Sequence, residues 1–195
     1  IGGDLIAFAL AGLTTAGIDL DPLRVEMAQA NLAAAGVGGA TMVADATTIN
    51  LDPFDVAFAD PARRTARGRA FTPDDWQPSW DFITKLFARD AVVKTAPGID
   101  HGLIPEGVEA EWVSEGGEVK EAALWSGRLA SVRRRATVIG DSGLATLTDE
   151  DECIEEVRDL GRCLYEPDGA VIRAGLVGAV AAGVGGGLVD AKIAY

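Results

Sequence analysis

Residues 16–22 read Ala16-Gly17-Ile18-Asp19-Leu20-Asp21-Pro22. Ala16 to Leu20 is a short, mostly apolar run that closes around an acid, the pattern of a strand reaching its end. Asp21 then stands as a helix N-cap, and Pro22 takes the first helical position, where its missing N–H costs nothing. Leu23, Met27, Ala30 and Ala34 follow at spacings of four, three and four and are expected to share one helix face. Gly36 supplies the stop. A strand that hands directly to a capped helix is the building unit of a parallel sheet.

The unit recurs outward from this stretch. Gly3 to about Leu10 reads as a helix opening from glycines. Ala40 to Ala46 is the next strand. Asp55 to Asp60 follows, and its run Val56-Ala57-Phe58-Ala59 is that of a strand buried on both faces. Trp80 to Ala88 reads as a helix, and Ala91 to Thr95 as a strand closed by Pro97-Gly98. The alternation predicts an α/β fold, a doubly wound parallel sheet with helices on both faces. After residue 107 the pattern changes. Glu109–Ser114 and Glu118–Trp125 flank Gly116-Gly117, and Val132–Ile139 and Leu144–Thr148 flank Asp141-Ser142-Gly143, each a hairpin signal. An acidic stretch, Asp149 to Glu156, precedes one expected helix from Gly169 to Ala182. A boundary near 148 therefore divides residues 1–148 from a small α+β segment, 149–195.

Composition narrows the function classes. The chain has 195 residues, 48% of them apolar, enough for a sizeable core. Thirty acids against 17 bases give a net charge of −13, so a surface that coats nucleic acid over its whole extent is excluded, while a local basic groove is not. A single histidine, His101, and two cysteines, Cys153 and Cys163, leave almost no material for a multi-histidine metal site, a Ser–His–Asp triad or a disulfide scaffold. This pattern suits a reducing, cytoplasmic compartment. The run Ala174–Val189 carries no charge but is sixteen residues long with six glycines, short of the ~20 apolar residues of a spanning helix. The opening Ile1-Gly2-Gly3-Asp4 and the close Ile193-Ala194-Tyr195 both read as cut edges, with a strand expected before Ile1.

Four features fall at successive strand ends. Gly2-Gly3 opens a helix, where glycines let a ligand approach backbone N–H groups; a tight turn is the equal alternative. Asp19 ends the next strand and can accept both hydroxyls of a ribose, since the capping role already belongs to Asp21. Asp45, in Val43-Ala44-Asp45-Ala46, can accept an exocyclic amine of adenine, or be a solvated turn acid. Asp60-Pro61 closes the buried strand at the carboxyl edge, where open α/β sheets bind ligands.

Acid at the second strand, acid at the third and Asp-Pro at the fourth is the layout of class I S-adenosylmethionine-dependent methyltransferases. Gly17-Ile18-Asp19-Leu20-Asp21-Pro22 and Phe58-Ala59-Asp60-Pro61-Ala62-Arg63-Arg64 resemble the bacterial members that carry a THUMP-like C-terminal segment. They are similar, more distantly, to trimethylguanosine synthases, which methylate a guanine amino group. The stretch Leu164-Tyr165-Glu166-Pro167-Asp168-Gly169-Ala170-Val171-Ile172-Arg173-Ala174-Gly175 resembles the THUMP-like segment itself. The resemblance implies a Rossmann-like methyltransferase sheet with an antiparallel hairpin at one end. It implies S-adenosylmethionine as cofactor, contacted by Gly2, Gly3, Asp19, Leu20, Asp45 and Ala46, and Asp60 and Pro61 facing the transferred methyl. It implies RNA as the acceptor and no metal. In amino-methylating relatives an Asp/Asn-Pro-Pro motif is followed by an aromatic ring; Ala62 and Arg63 occupy those places here.

Basic residues are unevenly spread. Arg63, Arg64, Arg67 and Arg69 form one acid-free cluster, and Arg128, Arg133, Arg134 and Arg135 another. Arg63, Arg64 and Arg67 are expected at the mouth of the site, gripping phosphates of RNA; the alternative is a solvated surface paired with the many acids. Trp76 and Trp80 either stack a base or form a core-facing helix edge, and Lys94, Asp100 and His101 lie at another strand's carboxyl end. Two competing functions use part of this pattern. An NAD(P)-dependent oxidoreductase also needs a glycine turn and an acid at the second strand, but leaves Asp45 and Asp60-Pro61 without a role. A non-catalytic RNA-binding module with a degenerate site accounts for Ala62-Arg63.

Overall fold

The computed structural model describes residues 1–61, 64–65, 68–69 and 76–194, with backbone alone for 64–65 and 68–69. The chain divides into two compact units, Ile1–Pro53 and Phe54–Tyr195.

In the first unit, α1 (Gly3–Leu10) leads to β1 (Ala16–Asp19), α2 (Pro22–Ala34) and β2 (Ala40–Val43). β1 and β2 pair in parallel with Ala16 opposite Ala40 and Asp19 opposite Val43. Asp21 caps α2 as its sequence requires, its carboxylate accepting the Leu23 N–H at 2.9 Å. The face that α2 turns inward differs from the expected one. Leu23 and Met27 are exposed, and Leu32 alone is fully buried. Two glycines decide this. A side chain at Gly39 would meet Leu32 at 3.0 Å, and one at Gly2 would meet Ala28 at 3.2 Å. The bare backbone at both positions admits the Ala28–Leu32 edge of α2, so that edge packs and the Leu23–Met27 edge does not.

The second unit holds β3 (Ala57–Ala59), a short hairpin of β4 (Arg64–Thr65) and β5 (Gly68–Arg69), α3 (Trp80–Leu86) and β6 (Ala91–Thr95). β7 (Glu109–Glu115), β8 (Glu118–Ser126), β9 (Arg134–Gly140), β10 (Gly143–Thr148), α4 (Gly169–Ala174) and α5 (Val177–Gly183) follow. Six strands form one sheet in the order β10-β9-β7-β8-β6-β3. β3 and β6 are parallel, β7 and β9 are parallel, and the remaining pairs are antiparallel. The described strands thus form a parallel pair in one unit and a mixed sheet in the other, on an α/β framework. β7 and β8 form the expected hairpin through Gly116 and Gly117, whose φ values of 59° and 80° are those of a tight two-residue turn.

β3 departs from its sequence reading. It ends the six-strand order, so it is half-buried on both faces rather than enclosed. β6, one place inward, is the enclosed strand, with Ala91 and Val93 fully buried. The C-terminal helix is also two helices. Gly175 adopts a left-handed φ of 69° and closes α4, and α5 begins at Val177. The division expected at 148/149 falls within the second unit, where α4 packs on β7 and β9. Ala110, Trp112, Leu124, Ala136, Ala170 and Ala174 are all essentially buried and form this core. Among the described residues no helix is long and apolar enough to cross a membrane.

Among the described residues one charged side chain is buried. Glu109 is 3% exposed and accepts the Arg135 guanidinium at 2.7 Å, the Ser131 N–H at 2.7 Å and the Val132 N–H at 3.2 Å. Burial pushes its carboxyl up, but the Ser131 N–H, the Arg135 guanidinium and the Val132 N–H outweigh that and hold it below its ordinary value. A lowered folded pKa contributes stability above the unfolded value of 4.5 that is lost as pH falls through the folded one. Arg135→Ala is expected to cost about 1.5–3 kcal/mol in urea unfolding at neutral pH, the range for hydrogen bonds to a charged group. Glu109→Gln is expected to flatten the acid limb of the stability profile below pH 4.5 relative to the parent protein; an unchanged limb would show that other carboxylates set it.

Candidate functional site

In the first unit, the carboxyl ends of β1 and β2 bring two acids to one edge. The Ala44 N–H donates to the Asp19 carbonyl at 3.1 Å, so the strands stay paired to their last residues. Asp19 follows Ile18 at the end of β1, and Asp45 follows Ala44 just past β2. One Asp19 oxygen accepts the Asp21 N–H at 2.8 Å, and the other lies 3.7 Å from Arg24. The Asp19 side chain is 37% exposed. Arg24 also reaches Asp21 at 3.6 Å, so one guanidinium faces both acids.

Asp45 is set differently. One carboxylate oxygen accepts both the Thr47 hydroxyl at 2.7 Å and the Thr47 N–H at 2.8 Å. The hydroxyl first, then the N–H, hold this carboxyl below its ordinary value. The group is therefore a fixed, ionised acceptor with its other oxygen outward. Asp45's carbonyl in turn accepts from Thr48. Leu20 is exposed and Ala46 half-buried beside these acids. The roles of Thr47 and Arg24 were not read from the sequence, although Asp-x-Thr is a recognisable turn signature.

Gly2 has a structural task here. It caps α1 with a left-handed φ of 76° and lies against Ala28 of α2. Gly3 has no neighbour within 4 Å of where a side chain would stand, so the approach of a ligand to this backbone is open. The contacts of Gly2 lead to α2 rather than to Asp19 or Asp45.

In the second unit, Asp60 is exposed and Pro61 buried at the carboxyl end of β3. β3 and β6 run parallel with Ala59 opposite Val93, so Asp60 shares its edge with Lys94, Thr95 and the loop after them. Strand directions place more on this edge. β7 and β9 run the same way as β3 and β6, so the Gly116-Gly117 turn and the Asp141-Ser142 turn close their hairpins on that side too. Lys94 pairs with Glu121 at 2.9 Å.

The arginine clusters separate. Arg63 and Arg67 lie outside the described residues, while Arg64 stands on the β4–β5 hairpin directly opposite Arg69. That hairpin follows Asp60-Pro61 immediately in the chain. The second cluster is largely structural. Arg128 pairs with Asp90 at 2.7 Å, Arg135 with Glu109, and Arg134 donates to the Ala174 carbonyl at 3.0 Å. Acids and a helix carbonyl thus engage these three side chains. Trp76 and Trp80 meet edge to face at 5.3 Å, with Trp76 only 6% exposed, so this pair belongs to the core and not to a base-stacking platform. His101 stacks on buried Trp112 at 4.8 Å, and Asp100 caps the turn that carries it.

No protein-family model matches the chain. Two curated relatives, from Mycobacterium tuberculosis strains CDC 1551 / Oshkosh and ATCC 25618 / H37Rv, are each described as an uncharacterized S-adenosylmethionine-dependent methyltransferase. Each is 41% identical over 203 residues, across 100% of this chain. The chain spans 55% of the length of these relatives. The fold is also that of a Porphyromonas gingivalis W83 protein, provisionally named a methyltransferase, whose crystal structure aligns with a TM-score of 0.61 at 21% identity. That alignment takes in 92% of this chain and 50% of the other, and it shows a shared mixed α/β fold built on a central sheet.

Proposed function

We propose that this chain is the catalytic part of an S-adenosylmethionine-dependent methyltransferase that transfers a methyl group to a base nitrogen of RNA, an exocyclic amine. The observation that carries the cofactor reading is the acid pair, Asp19 and Asp45, presented by neighbouring parallel strand ends. The chain's likeness to the two mycobacterial relatives supports it. Residues 1–148 would form the methyltransferase part, residues 149–195 the THUMP-like segment, and the protein would work in the cytoplasm.

The donor set fits the cofactor. Asp19 offers an acceptor oxygen beside Arg24 to ribose hydroxyls, and Asp45 offers a fixed, ionised oxygen to the adenine amine. Leu20 and Ala46 would bound the adenine, and Gly2 and Gly3 would leave room for the backbone to approach the ligand. When bound, the cofactor supplies an electrophilic methyl on a sulfonium. Asp60 would accept one hydrogen of the acceptor amine and so orient its lone pair toward that methyl. Pro61 would fix the backbone that carries Asp60. Orientation of this kind accounts for most of the rate in a direct displacement. The amine's proton leaves to water after transfer, so Asp60 needs no raised basicity. Arg63, Arg64 and Arg67, directly after Asp60-Pro61 in sequence, would hold RNA phosphates.

Calorimetry against S-adenosylhomocysteine and NAD tests the cofactor. The full-length protein is expected to prefer S-adenosylhomocysteine, and tighter NAD binding would sink the reading in favour of an oxidoreductase. Asp19→Ala is expected to weaken S-adenosylhomocysteine about 10- to 100-fold, the loss of one or two hydrogen bonds to a charged group. Because Asp45 is held ionised below the ordinary value of 3.8, its contribution should stay constant as pH is lowered to about 5. A fall in affinity across that window that Asp45→Asn removes would contradict this assignment.

Methyl incorporation into unmodified total RNA tests the reaction. Asp60→Ala is expected to abolish incorporation with S-adenosylhomocysteine affinity within about twofold of the parent protein. A fully active variant would overturn the role of Asp60. RNA binding without any incorporation by the parent protein would favour the non-catalytic module.

A further inference from the structure

The loop after β6 starts on the same edge as Asp60 and is held from outside the sheet. Its Pro97 carbonyl accepts two bonds, from the Trp112 indole at 3.0 Å and from the Arg173 guanidinium at 3.3 Å. The second bond is returned. His101, in the same loop, lies with Nε2 2.8 Å from the Arg173 carbonyl, so that nitrogen carries the proton and donates. Arg173 sits in the last turn of α4, where backbone carbonyls have no intrahelical partner. His101 satisfies one such carbonyl, and Arg134 satisfies the next, at Ala174, from β9. Helix and loop are therefore clasped reciprocally, side chain to backbone in both directions. Gly98 belongs to the clasp as well, since a side chain there would stand 3.7 Å from the Arg173 guanidinium.

We propose that the C-terminal segment braces the acceptor edge of the sheet, and that Arg173 is the positioning residue through which it does so. This rests on the reading of Asp60 as the group that orients the acceptor amine. Arg173 is exposed and touches neither Asp60 nor a strand core. It acts on the loop 97–103, whose internal bonds run from the Ile99 N–H to the Ala96 carbonyl and from the Leu103 N–H to the Asp100 carbonyl. With the brace closed, that loop forms a fixed wall beside Asp60. Without that guanidinium, the loop keeps the Trp112 indole bond, the His101 bond to the main-chain carbonyl of position 173 and buried Ile99. The segment would then set how the acceptor is presented while leaving the cofactor's acids in the first unit untouched.

Hydrogen exchange and steady-state kinetics on the full-length protein test this with Arg173→Ala and Arg173→Lys. Arg173→Ala is expected to raise exchange at the Ile99, Gly102 and Leu103 amides about tenfold, with the β7–β8 amides unchanged. It is expected to lower kcat/KM for RNA about tenfold without changing the S-adenosylhomocysteine Kd. Arg173→Lys keeps one donor for the Pro97 carbonyl and should restore most of both. Unchanged loop exchange overturns the brace, and faster loop exchange with unchanged RNA kinetics overturns its role at the acceptor edge. Should the parent protein transfer no methyl at all, the functional reading fails separately, and the exchange experiment still decides whether Arg173 holds the loop.

Discussion

Glu109 is a charge placed where the fold can least spare one, and the second unit is organised around keeping it satisfied. β7 and β9 run parallel, so the chain must leave β8, cross an end of the sheet and return in the same direction as β7. The crossover contains Ser131 and Val132, and both of their N–H groups end on the Glu109 carboxylate. Arg135 then fixes the start of β9 to the same group. A buried ion pair of this sort adds little net stability compared with a well-packed apolar substitute. Its value lies in register. An unpaired Glu109 in the core would be costly in any other alignment of β9, so one alignment is selected. Everything at the opposite edge, from the hairpin turns to the loop beside Asp60, inherits its position from that choice.

The arginines show how composition misleads in both directions. A net charge of −13 argues against contact with polyanions, and two acid-free arginine clusters argue for it. The second cluster is consumed internally, because its acids come from distant parts of the chain: Asp90 lies 38 residues before Arg128 and Glu109 lies 26 before Arg135. No window of sequence around Arg128–Arg135 contains those partners. Of the first cluster, Arg64 and Arg69 stand at one register position of the β4–β5 pair.

Local chemistry was legible and burial was not. Asp21-Pro22 announced α2, Gly116-Gly117 announced the β7–β8 hairpin, and the apolar run 91–95 announced the enclosed strand β6. Each of these rests on residues within a few positions of one another. The inward edge of α2 depends instead on Gly2 and Gly39, which are remote in sequence and act by what they lack. The half-exposure of β3 follows from its place at the end of the strand order, which no property of Val56–Ala59 encodes. Gly175 was visible but ambiguous, since a glycine inside an apolar helical pattern is tolerated as often as it terminates. Asp19, Asp45 and Asp60 were readable as strand-end acids. What holds them, Thr47 and Arg24, was not singled out, and the anchors of the neighbouring loop, Trp112 and Arg173, come from 15 and 76 residues away.

The two hairpin turns on the Asp60 edge have one more property. At Gly116, Gly117, Gly140 and Gly143 an added side chain would meet nothing within 4 Å. Loops with such surroundings accept insertions because no packing is disturbed. Lengthening either turn would raise a new rim along the edge without altering Glu109, Trp112 or any strand register. The same positions offer a place to graft a loop or a reporter along this edge without touching the packed strands.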